Sequence, residues 1–520
     1  MIRQEDLAVK TKFSAVKVSR RRFLAGAGAT VAVVAAGGSA AGVVLHERSG
    51  PSAGGATTLG TLPPTGPNPL TDGDTRIRHL LRRTTFAALP PDVERYRAMT
   101  PARVVDDLLA QAAASDAAGD KAIAAYNFDT QKPADVIATW IARLMHTDRP
   151  FIERMTLFWH GLLTSGLAKI PKEAHQAILT QNQFFRDHAL DKFDVLLKGI
   201  VRDPAMMLWL DVQTSKKGHP NENYARELME LFTLGIGNYT EDDVRESARA
   251  HTGYALDRIR GFVFEPKQHD AGQKTFLGQQ GNFDADGIVD IILQQPAAPE
   301  HFATALFEFF AYFNPAPDVI APIAQVARTS GFDTGQVVRA VLTSDAFYSP
   351  QAYRAIVKSP ADFSIGTLRL FQSQIDPRTV VGSMRTMGQT LFNPPNVAGW
   401  PGGRTWLGTS TWFARVNAAA QLMNGGTFEQ GRAGRTGKPP KVRSANIDAL
   451  FNTPPGSADD AIGQAALVLL DGRISDEERL TLRAYMDEGG GFAALDPATK
   501  EQRIRGLAAL LLASPEYQLA

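Results

Sequence analysis

From Arg76 onward the apolar positions recur at spacings of three and four, the period of a helix that buries one face. The stretch from Pro101 to Leu109 shows this plainly. Thr100 stands as its N-cap, proline takes the first helical position, and the valines and leucines that follow keep helical spacing. Asp203-Pro204 opens another helix in the same way, and Thr240 with Asp243 forms a capping box in which Asp replaces the usual Glu or Gln. Strand signals are few. Gly253 to Phe264 and Lys274 to Leu277, rich in aromatic and β-branched residues and punctuated by Gly261, predict one short β-hairpin. The expected fold is therefore mainly α, a helical bundle-like body with one small β-hairpin and a C-terminal helical subdomain.

Two stretches break the periodicity. Residues 46–74 are rich in Gly, Pro, Ser and Thr and read as a flexible tether, and residues 425–444 carry five glycines with Pro439 and Pro440 adjacent. They divide the chain into a leader over 1–45, a main helical domain over 75–424 and a C-terminal helical segment over 445–520. One internal echo links the last two. Arg339 to Phe347 and Ala509 to Tyr517 both run from an apolar helix end into Ser-x-x-aromatic, where the serine stops the helix and the ring folds back onto it.

The leader sets the location. Ser19-Arg20-Arg21-Arg22-Phe23-Leu24, with lysines before it and an uncharged Ala/Gly/Val run from Ala25 to Leu45 after it, is a twin-arginine signal for export of folded protein. The run has 21 residues, long enough to span a bilayer, but its glycines and alanines make a poor permanent anchor. A periplasmic or extracellular protein without a stable membrane anchor is expected. Its 520 residues hold no cysteine, which excludes disulfides, thiol nucleophiles, thiolate metal sites and covalent c-type haem. With 55 basic against 54 acidic residues there is no global field to favour nucleic acid.

Candidate chemistry lies in four places. Between Pro220 and Gly235, helical spacing puts Glu222, Asn223, Arg226, Glu227 and Glu230 in one arc of about 140°, opposite Tyr224, Leu228 and Phe232. That face is either a solvated one laced by ion pairs to Arg226 or an acid/base or metal cluster. Asp211 to Glu222 also has the length of a calcium loop, but Lys216 stands where such a loop needs glycine. His160 sits among Phe158, Trp159 and Leu162, a setting that suits a hydrogen-bonded core histidine as well as an assisting base, with Glu153 one face-length away. His269, Asp270 and Lys274 share a loop, either a solvated turn or the raw material of a site. In Phe392 to Trp406, turns forced by proline and glycine present Trp400, Arg404 and Trp406, as a stacking surface for a sugar or partner or as a turn pinned into the core.

Arg78-His79-Leu80-Leu81-Arg82-Arg83-Thr84-Thr85-Phe86, Phe158-Trp159-His160, the Pro220 to Gly235 block, His269-Asp270 with Gly272 and Lys274, and Pro394 to Gly403 occur in this order. Together they resemble the bacterial domain of unknown function 1800 family over about residues 75 to 420. The resemblance implies no particular reaction, and nothing in the sequence identifies a cofactor. It implies export, and as partner a second exported, sulfatase-like protein of unknown function. His251 departs from it, standing where an apolar residue is expected. Without a nucleophile elbow, a His-Glu-x-x-His helix or a phosphate-binding glycine loop, the expected role is binding or assembly in the cell envelope. The alternative is a hydrolase, metal-assisted or not, with the glutamates as ligands or base and a histidine assisting.

Overall fold

The computed structural model describes residues 68–257, 261–424 and 445–520. The twin-arginine leader, the tether up to residue 67 and the second linker lie outside the described residues. The helical body begins slightly earlier than the spacing suggests. A short turn at Pro69–Thr71 leads into α1 (Gly73–Thr84), whose N-cap Asp72 accepts the Thr75 N–H.

The caps read from the sequence are in place. Thr100 accepts the Arg103 N–H at the start of α2 (Pro101–Leu109). Then come α3 (Pro133–His146), α4 (Pro150–Leu162) and α5 (Gln176–Asp187). Asp203 caps α6 (Pro204–Trp209). The polar block forms α7 (Asn223–Glu227) and then widens into a π-helix over Leu228–Thr233. Thr233 Oγ1 donates to the Leu228 carbonyl five residues back, which suits that wider turn, and Gly235 follows with φ of 79°. The Thr240–Asp243 capping box opens α8 (Glu241–Ala250) with both reciprocal bonds made.

The β-structure is two hairpins where the pattern predicts one. β1 (Tyr254–Asp257) pairs antiparallel with β2 (Gly261–Phe264), while β3 (Lys274–Phe276) pairs with β4 (Gln279–Gly281), a strand the sequence reading missed. Leu277 and Gly278 both have positive φ, so the chain reverses within two residues and Lys274 never reaches β1. Gly253 joins α8 to β1 where a side chain would not fit: a Cβ there would lie 2.8 Å from the Glu265 carbonyl oxygen.

Further along the chain, α9 (Thr334–Thr343), α10 (Pro360–Leu370) and α11 (Thr409–Asn424) precede three C-terminal helices, of which the first is α12 (Ala458–Leu470) and the last α13 (Pro497–Leu512). Two apolar cores organise them. One gathers Leu80, Phe151, Trp159, Phe193, Phe302 and their neighbours; the other joins Trp140 and Ile141 of α3 to Phe363 and Ile365 of α10 and to Ile462 and Leu507 of the C-terminal helices. The C-terminal stretch thus buries its apolar face against the main body. Arg82 of α1 and Asp471 beyond α12 seal this contact with a bidentate pair of 2.7 and 2.8 Å. The serine echo holds at both sites. Ser344 Oγ accepts the Phe347 N–H and Ser514 Oγ the Tyr517 N–H, with both rings buried.

Candidate functional site

The residues singled out by the sequence fall into separate groups. Arg226 makes a bidentate pair with Glu241 at 2.8 Å and keeps Glu222 at 3.6 Å. Glu230 accepts the Tyr239 hydroxyl at 2.6 Å instead of pairing with Arg226, because the π-turn moves it off the α-helical arc. Half-buried Glu227 has its carboxyl raised above the usual range by burial and then by the Glu230 charge. At the other end of α8, Arg249 pairs with Asp270 at 2.8 Å and with Glu246, and the guanidinium holds the Asp270 carboxyl down to about 2. The Lys274 ammonium donates to the Asp270 and Gly272 carbonyls, and His269 Nδ1 donates to the Thr252 carbonyl at 2.9 Å. Glu246 and Asp243 accept the N–H groups of Thr275 and Leu277. This second group clamps the β3–β4 hairpin onto α8. Glu241 and Arg249 are eight residues apart, about 12 Å along the axis, so the two groups do not share a reacting atom.

His160 belongs to neither. It is buried, its Nε2 accepts the Phe392 N–H at 3.2 Å, and burial alone pushes its ring down to about 3. A neutral imidazole accepting a backbone N–H anchors the loop that follows. The same loop presses on the end of α4: a Cβ at Gly399 would lie 2.9 Å from the Gly161 carbonyl oxygen, and Thr164 Oγ1 donates to the Val397 carbonyl. Trp406 is 6 % exposed and packs beside Gly388, so it is a core residue and no stacking platform. Trp400 is half-buried with its ring 5.6 Å from that of His160, and Arg404 is exposed. Asp211 is held by the Lys169 ammonium at 2.9 Å, which puts a cation of the protein at the head of the calcium-like loop. His251 is buried, its Nδ1 bonded to the Ser247 carbonyl, and burial pushes it down to about 4.

A cleft lies elsewhere. It encloses about 570 Å³ between α3 and α5, within the range that holds small ligands. Thr139, Trp140 and Arg143 reach it from α3, and Gln176, Thr180 and Gln183 line the facing stripe of α5. Helical spacing explains both sets. Below them the fully buried Glu153 of α4 takes the Trp140 indole N–H at 2.8 Å and both the Nε and Nη2 groups of Arg186. Arg186 in turn donates to Asn182 Oδ1 at 2.7 Å, which fixes the amide so that its Nδ2 points away from the guanidinium. That Nδ2 is buried and has no partner. Arg143 is committed to Asp116 and Asp120.

The cleft is equipped to bind and poorly equipped to react. Its guanidinium charges are met by carboxylates, and the Thr139 and Thr180 hydroxyls donate to helix carbonyls. His188 at the rim pairs with Asp191 at 2.6 Å, but neither hydroxyl bonds its ring. What remains for a ligand is the exposed amides of Gln176 and Gln183, since the Trp140 ring is 1 % exposed and stacked on Phe392 and the Asn182 Nδ2 is buried beneath the surface. The sequence reading passed over these residues because each helix reads as apolar and periodic. The signal it held was an arginine inside each of two such helices, Arg143 and Arg186. Among the described residues no three His, Cys, Asp or Glu side chains stand together as metal ligands.

The family described as a protein of unknown function, DUF1800, has a model that matches residues 79–519. No curated protein and no solved structure matches the chain.

Proposed function

The chain belongs to the DUF1800 family, and from that premise we propose that it is an exported binding protein of the cell envelope whose α3–α5 cleft takes a sugar segment of an envelope glycan. The observation that carries this reading is a cleft of about 570 Å³ whose charges are already neutralised and whose α5 wall offers the exposed side chains of Gln176, Thr180 and Gln183. Exposed amide and hydroxyl groups on a neutralised wall match the hydroxyls of a sugar ring. Export rests on the leader sequence, Ser19 to Leu24. Among the described residues no helix is long and apolar enough to cross a membrane.

The assembly half of the proposal belongs to the 394–406 loop. There the exposed Arg404 and the half-buried Trp400 lie beside Phe313, which is 44 % exposed and sits 3.7 Å from the Cβ position of Gly402. This is the face offered to a second exported protein, with the core-bound Trp406 as its support. Hydrolysis has no comparable support: His160, Glu222, Glu230, His269 and Asp270 are spread over three places and bonded within each.

The test is calorimetric titration of the purified protein with soluble peptidoglycan fragments and neutral oligosaccharides. Saturable binding is expected, weakened at least tenfold by Thr180→Trp, which fills the mouth of the cleft from an exposed position and should leave the melting temperature unchanged. Cleaved fragments in the same mixture would overturn the binding reading in favour of a hydrolase. Equal binding by wild type and Thr180→Trp would remove the cleft from it.

A further inference from the structure

Beneath α1 cations crowd together in the interior. Arg83 is fully buried, with one N–H on the Ala352 carbonyl while its Nε and Nη1 have no partner. Lys358 is 5 % exposed and its ammonium lies over the face of Tyr517, 3.4 Å from the ring centroid. Both groups lie near the charges of Arg82, Arg354 and Asp362. Arg415, 1 % exposed, adds its guanidinium through the Lys358 carbonyl and leaves its own Nε without a partner.

The carboxylates here are already spent. Asp471 accepts from Arg82 twice, from Arg354 and from the Tyr353 hydroxyl. Asp362 accepts from Arg154 and closes the capping box of Ser359 at the start of α10. Five guanidiniums, those of Arg82, Arg83, Arg154, Arg354 and Arg415, therefore face two carboxylates, beside the Lys358 amine, whose hold on its proton is weakened by burial. Arginine does not give up its proton at any ordinary pH, and burying uncompensated charge costs several kcal/mol per ion. Tyr517 lends Lys358 a ring face, which offsets part of that cost. An anion among them would reverse the sign of the balance.

The geometry points to a buried anion-binding centre, in which Arg83 and Lys358 supply the free donors for one compact oxyanion of the phosphate or sulfate class. Enclosure favours a free inorganic ion over the headgroup of a larger molecule, because every donor named is nine-tenths buried or more. The ion would join α1, the segment from Ala352 to Lys358 and the helices α10 and α11. This centre is independent of the glycan cleft and stands or falls apart from it.

Two measurements on the full chain test it. Ion chromatography of the supernatant after denaturing purified protein should find about one equivalent of phosphate or sulfate per chain, and distinguishes the two. Thermal melts in chloride and in phosphate at equal ionic strength should cross on Lys358→Met: the variant melts no lower than wild type in chloride, and lower than wild type by 5 °C or more in phosphate. Arg83→Met should behave alike. No released oxyanion together with identical responses of wild type and Lys358→Met to phosphate would overturn the proposal. Should the variants fail to fold, the released ion and a saturable phosphate-dependent rise in the wild-type melting temperature decide it alone, their joint absence counting against it.

Discussion

Between Glu222 and Lys274 charged residues follow one another closely and find partners nearby: Glu230 with Tyr239, Arg226 with Glu241, Arg249 with Asp270. In the α3–α5 cleft the charged residues are sparse, each set in an apolar helix, and their partners come from other helices, Glu153 with Arg186 and Arg143 with Asp116. The first region is half in water and its pairs hold a hairpin to a helix. The second is buried, keeps its charges neutral across three helices, and leaves an amide donor over. Polar density along a chain therefore marks where local structure needs fastening. A lone charge inside an apolar helix marks where the fold has brought something together.

The largest expected effect lies at Glu153. Glu153→Gln leaves the Arg186 guanidinium buried without its counter-charge, and a loss of about 3–5 kcal/mol in urea unfolding is expected. A loss under about 1 kcal/mol would show that the cleft floor is no more dependent on its charges than the surface is. Next is His160, whose folded value of about 3 lies below its unfolded 6.5. The unfolded chain takes up the proton first, so this group makes stability rise with pH from about 3 to about 6.5. His160→Gln, which keeps an acceptor for the Phe392 N–H, should flatten that limb by several kcal/mol, since each unit of the shift is worth about 1.4 kcal/mol. An unchanged acid limb would mean the ring is solvated and free to act as a base.

Asp270 should matter less. Asp270→Asn leaves Arg249 with Glu246 and weakens the clamp on β3 by about 1 kcal/mol, read from the shift of the unfolding midpoint. Arg226→Ala should be smallest, under about 1 kcal/mol, since Arg226 and Glu241 meet at the surface. A reversed order of these two would mean that the polar face of α7 does more than fasten α8.

What was legible in the sequence was what is local. Thr100, Asp203, the Thr240–Asp243 box and Gly235 announce themselves by neighbours within one helical turn, and all four act as their spacing says. The pairing of β3 escaped notice because the decisive residues are the turn at Leu277 and Gly278, while Gln279 and Gln280 carry no strand propensity. The π-turn at Leu228–Thr233 was equally hidden, since it leaves the apolar pattern intact and only rotates Glu230. Glu153 could be seen as an acid inside an apolar helix; its partners Trp140 and Arg186 could not, lying 13 and 33 residues away on different helices. Trp400 and Trp406 look alike in the sequence, and only packing against Gly388 sends one of them inward.

The Arg82–Asp471 pair also has a meaning in time. Its residues are 389 positions apart, so a ribosome adding about 5–20 residues per second reaches the second one roughly 20–80 s after the first. For that interval α1 carries an arginine whose counter-charge has not been made, and the core shared by α3, α10 and α12 lacks its last layer. The final helices must therefore be made before the body can close.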